Sequence, residues 1–129
     1  MRYEYTIGRA PVSKKNSMQI VTNKATGRPF IVPSKQYKAY LKAAGWYIHS
    51  KPKIDRPVCV KCLFYMPTRR RVDLTNLLEA IDDILVHYGV LADDHSGIIV
   101  SHDGSRVLYD KTDPRTEITI TEEEKDHAE

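Results

Sequence analysis

The chain has 129 residues, 41% of them hydrophobic and 29% charged, with a formal net charge of +3. That length fits a single domain able to bury a real core, and the balance is that of a globular protein. No window reaches the apolar length of a membrane span, and Met1-Arg2-Tyr3-Glu4 lacks the apolar core of a signal peptide, so a cytoplasmic location with no membrane partner is expected.

The small net charge conceals a dipole. Residues 1–71 carry sixteen Lys and Arg against two Asp and Glu, whereas residues 72–129 carry four against fifteen. Residues 122–129 read as an acidic C-terminal tail behind a domain of residues 1–121. Without the tail the body keeps an excess of basic charge, which points to an anionic partner.

In chain order, Tyr3–Ile7 alternates like a strand, and Gly8 to Lys15 is a polar loop. Met18–Thr22 and Pro29–Val32 flank a turn around Lys24-Ala25-Thr26-Gly27, which predicts a hairpin. Ser34 is placed to cap a helix whose apolar residues Tyr37, Tyr40, Leu41, Ala44, Tyr47 and Ile48 recur at helical spacing, with Pro52 closing it. Tyr37, Tyr40 and Tyr47 offer more aromatic surface than a small core requires and are expected to help form a dimer interface. Val58, Val60, Cys62, Phe64 and Met66 form one face of a longer strand. Cys59 and Cys62 lie on that strand, where residues three apart point to opposite faces, so they are read as reduced thiols rather than a zinc half-site.

A second helix follows. Leu74, Leu77, Leu78, Ile81, Leu85 and Tyr88 make its apolar stripe, with Asp73, Asn76, Glu79 and Asp83 on the other side. Asp73 is also a natural N-cap, and Glu79 can complement the helix dipole. Short strands are expected near Ile98–Ser101 and Glu117–Ile120, with Val107–Tyr109 a possible third. The class is α+β: a small mixed sheet packed with two main helices.

The chemistry concentrates around that second helix. Arg69-Arg70-Arg71 runs into Asp73, and Asp93-Asp94 follows after the helix, where the chain must turn back. Guanidinium groups suit backbone phosphates, and hard oxygen ligands suit a divalent cation, Mg2+ or Mn2+, so the pattern is that of a metal-dependent nuclease. Five histidines show no paired ligand spacing, and only His95 stands beside the carboxylates. There is no Gly-rich phosphate loop and no recognisable nucleophile motif.

The order of motifs resembles the RusA family of Holliday junction resolvases. Pro11-Val12-Ser13-Lys14-Lys15-Asn16 matches an early loop, Asp73-Leu74-Thr75-Asn76-Leu77 the helix start, Asp83-Ile84-Leu85 its later part, and Gly89-Val90-Leu91-Ala92-Asp93-Asp94 the segment after it. The resemblance implies a homodimeric, magnesium-dependent endonuclease that nicks two strands of a four-way DNA junction, with the family's first catalytic aspartate at Asp73 and its last at Asp94. Two positions depart from the pattern: Thr75 replaces the second aspartate, and Glu79 replaces a lysine of better-known members.

Asp73, Asp94 and Glu79 are therefore the expected ligands, Glu79 compensating for Thr75 from one turn away, with Asp93 or Asp83 supporting or holding a second metal. Asn76 is expected to orient a ligand or cap the helix. Arg69, Arg70, Arg71, Lys14, Lys15 and Asn16 are expected to hold DNA phosphates without reading sequence. Two other readings stay open: a branched-DNA-binding protein with a degenerate metal site, and a nuclease acting on other branched nucleic acids.

Overall fold

The computed structural model describes residues 1–13 and 18–123. A five-stranded sheet is built from β1 (Arg2–Ile7), β4 (Val58–Met66), β5 (Ile99–Ser101), β6 (Arg106–Tyr109) and β7 (Arg115–Glu122) in the order β1-β7-β4-β5, with β6 also paired to β4. β2 (Met18–Thr22) and β3 (Pro29–Pro33) form a separate hairpin. The helices are α1 (Lys35–Ala44), extended by a 3-10 turn at Gly45–Tyr47, and α2 (Leu74–His87). This is the expected α+β class with a mixed sheet and two helices. No helix among the described residues is long and apolar enough to cross a membrane.

Alternation along three strands creates the core. Antiparallel register aligns Tyr3, Ile120 and Val60 in one row, Tyr5, Ile118 and Cys62 in the next, and Ile7, Thr116 and Phe64 in a third. Ile7, Phe64, Ile118 and Ile120 are essentially sealed from solvent, because period-two side chains all reach the same face. Thr116 is the polar member of its row, and its hydroxyl lies 3.2 Å from that of Tyr40 on α1, so the buried oxygen has a partner.

α1 starts where Ser34 accepts a hydrogen bond from the Tyr37 N–H, and its buried residues are Tyr37, Tyr40, Ala43 and Ala44. Tyr37 and Tyr40 are each only 4% exposed, which corrects the expectation that they form an interface surface; they are used up within the core, and Tyr47 is half-buried. Exposed apolar groups lie elsewhere, among them Ile20, Phe30 and Ile31 on the hairpin, Trp46, Val100, and Val107 and Tyr109 on β6. Cys59 and Cys62 are both buried free thiols.

β4, α2 and β5 form a parallel crossover: Val58 pairs with Ile99, and an isolated bridge joins Ile54 to Leu91. α2 buries Leu77, Leu78, Ala80, Ile81, Ile84 and Leu85 against the sheet. At its end Gly89 takes φ +78°, a left-handed conformation that costs glycine little, and the Val90 N–H returns to the Leu85 carbonyl. That reversal carries Asp93 and Asp94 back toward the helix.

Candidate active site

Asp73 caps α2, with one carboxylate oxygen accepting from the Thr75 N–H at 2.9 Å. The role follows from sequence locally, since a short oxygen-bearing side chain ahead of an apolar-periodic run satisfies an orphan helix donor. Asp73 is nevertheless exposed, and it lines an open cavity of about 320 Å³ together with Arg70, Arg71, Thr68, Met66, Ser13 and Gln36. The loop from Pro67, the start of α2 and the segment before residue 14 thus place one aspartate and two arginines on the same hollow. Arg69 points elsewhere along the loop: its guanidinium sits 4.2 Å from the centre of the Tyr109 ring. Lys14, Lys15 and Asn16 lie outside the described residues.

Glu79 is exposed on α2, one helical turn beyond Thr75, and Asn76 is half-buried in the first turn. Asp93 and Asp94 are exposed after the Gly89 reversal, where Asp93 accepts from the Asp94 N–H at 2.7 Å. Asp83 is half-buried and faces α1, since its charge, after burial, is the second cause that pushes the Tyr37 hydroxyl up to about 12. His95 closes the local turn by accepting from the Gly97 N–H at 3.0 Å. Among the described residues no three His, Cys, Asp or Glu side chains converge as a metal-binding group.

The sequence reading passed over Asp82 and His102. Asp82 lies one turn from Glu79 on α2, and its carboxylate is 3.0 Å from Nε2 of His102, two residues past Val100 in the chain. Burial raises the Asp82 carboxyl above its ordinary value, His102 pulls it down, and the charges of Asp94 and Asp83 push it up again. His102 is raised by its hydrogen bond to Asp82, against the opposing effect of burial. Both groups shift toward keeping a proton, so the pair holds its proton to higher pH than a free imidazole would. Of the two post-helix carboxylates, Asp94 lies within electrostatic range of Asp82 on α2. No local spacing signals this pair, because its partners meet only once α2 and β5 are packed.

By ligand type the expected residues suit a hard cation, although among the described residues they do not converge as one group. Asp73, Glu79 and Asp94 offer carboxylate oxygens only, all exposed to an incoming substrate. Mg2+ is commonly held by one or two protein carboxylates together with substrate phosphates rather than by a closed protein cage.

The endodeoxyribonuclease RusA family model matches residues 9–121. A comparison with curated proteins finds no match. The match takes in β2 to β6, both helices, the Asp73 cavity and nearly all of β7, and the chain belongs to the RusA endodeoxyribonuclease family.

Proposed function

We propose that this protein is a magnesium-dependent endonuclease that resolves four-way DNA junctions by paired phosphodiester cuts, acting as a homodimer in the cytoplasm during DNA recombination and repair. The observation that carries the reading is the cavity in which Asp73 meets Arg70 and Arg71, within a domain of this family. Guanidinium groups there offer bidentate donors to a backbone phosphate, while the carboxylate beside them supplies the opposite requirement, a hard oxygen ligand.

Asp73, Asp94 and Glu79 are the residues that would hold Mg2+ or Mn2+, with Asp93 and Asp83 in supporting roles. The cation, when bound, polarises a phosphoryl oxygen and lowers the pKa of water. The chain's own residues do the rest. Arg70 and Arg71 orient the phosphate, and the Thr75 N–H holds one oxygen of Asp73, which lines the same cavity. A two-fold dimer matches the two equivalent strands of a junction. The exposed Ile20, Phe30, Ile31 and Trp46 offer apolar surface for it.

The alternative, a branched-DNA-binding protein that does not cut, is favoured by Thr75 in the place of a family aspartate and by the lack of a converged three-residue ligand group among the described residues. Incubating purified protein with labelled four-way junctions, flaps, forks and duplex, with and without Mg2+, tests the reading. Symmetric nicks on the junction only with Mg2+ are expected; tight binding without nicks selects the alternative, and preferential cutting of flaps or forks selects a different branched substrate. Light scattering should report a dimer.

A further inference from the structure

A second open hollow, of about 350 Å³, is lined by Thr68, Arg69, Arg70, Val107, Leu108 and Tyr109. It shares Thr68 and Arg70 with the hollow that holds Asp73, so the two are contiguous around the arginine loop. Register explains the placement. β6 runs parallel to β4 with Val107 opposite Phe64 and Tyr109 opposite Met66, so both residues lie on the sheet face that carries the helices. Phe64 is sealed in the core, but Val107 and Tyr109 remain 37% and 40% exposed. Arg69 braces the ring of Tyr109 at 4.2 Å.

An exposed aromatic ring, fixed by a guanidinium and bordered by further arginine, has the makings of a site for an unstacked nucleobase. Bases stack on aromatic rings and on arginine planes, while adjacent cationic groups follow the backbone. Bases inside continuous duplex are already stacked and cannot use such a site. Those at a strand exchange point can be opened at lower cost.

We propose that Tyr109, braced by Arg69, is a stacking platform for a base near the scissile phosphate, and that it biases the protein toward branched over continuous DNA. The proposal rests on the nuclease reading of the Asp73 hollow for its orientation, with the backbone passing from Asp73 across Arg70 to Tyr109. The ring is the operative group; the hydroxyl is dispensable.

The test measures binding without divalent cation, so that no strand is cut, to a four-way junction carrying 2-aminopurine at the branch and to a linear duplex of equal length. Tyr109→Ala should weaken junction binding roughly tenfold or more and abolish the 2-aminopurine quenching, while leaving duplex binding unchanged. Tyr109→Phe should behave as wild type on both. Equal effects of Tyr109→Ala on junction and duplex, no effect on either, or a Phe variant as weak as the Ala variant would overturn the platform. Cleavage of the same junction with Mg2+ is scored separately: a wild type that stacks the branch base but never cuts refutes the nuclease reading and leaves the platform standing.

Discussion

His102 reaches α2 at its middle, where Nε2 stands 3.0 Å from a carboxylate oxygen of Asp82. The pair ties the turn after β5 to the helix, close enough to the post-helix carboxylates for Asp94 to act on Asp82. Because the folded-state pKa of His102 is raised above its ordinary 6.5, its contribution to stability is complete below that value and is lost as pH climbs through the raised one. Asp82 is shifted in the same direction, so its contribution has the same sign but begins to fall in the acid range. Urea midpoints measured across neutral pH should therefore decline with rising pH. His102→Gln should flatten that decline, and an unchanged slope in the variant would remove His102 as its source.

Asp73 combines two duties that substitutions can separate. Asn retains an oxygen to cap α2, so Asp73→Asn should abolish cleavage while leaving stability and junction binding nearly intact, and Asp94→Asn should do the same. Ala removes the cap as well, at a cost of about 1 kcal/mol in urea unfolding. A loss of junction binding in step with activity in the Asn variants would mean that these residues hold the DNA surface together instead of the reaction.

Thr75 and Glu79 lie one turn apart on the exposed side of α2. If Glu79 supplies the carboxylate that Thr75 lacks, Glu79→Gln should be nearly as damaging to cleavage as Asp73→Asn, and adding Thr75→Asp should restore part of it. Turnover measured on junctions checks this; a Glu79→Gln enzyme at wild-type rate excludes the compensation.

Arg70 and Arg71 line the Asp73 hollow, whereas Arg69 is engaged with Tyr109. Replacing Arg70 and Arg71 with Ala should weaken binding to every DNA form and lower the salt slope by about one for each phosphate no longer neutralised. An unaltered slope would move the phosphate surface away from this loop.

Where periodicity and local capping decide the structure, the sequence was readable. Ser34 and Asp73 cap the helices they were expected to cap, Met18–Thr22 pairs with Pro29–Pro33, and Val58–Met66 presents its even-numbered apolar residues to the core. Amphipathic side chains defeated the same reasoning. Tyr37 and Tyr40 look like surface aromatics in one dimension, yet burying them against the sheet gives a larger apolar return, and Thr116 satisfies the Tyr40 hydroxyl.

Of the candidate site, only the adjacency that is local in sequence was readable. Asp73 and the arginines are neighbours in sequence, so their adjacency survives folding. Asp82 meets His102, and Arg69 meets Tyr109, only through the crossover and the parallel register of β4 with β6. No spacing rule along the chain encodes such meetings, because they depend on which strands become neighbours.

The position of β7 between β1 and β4 also governs when this molecule can exist at all. Its eight residues are the sole bridge joining β1 to the rest of the sheet among the described residues, with Tyr5 and Cys62 both waiting for Ile118. During synthesis α1, β4 and α2 leave the ribosome first, holding half a core open to water, and the first strand has no partner until residues 115–122 emerge. The sheet is completed only once β7 is available, and until then the chain depends on remaining soluble. A nascent chain halted before Arg115 would carry every residue of the Asp73 hollow and still lack the strand that unites the sheet beneath it.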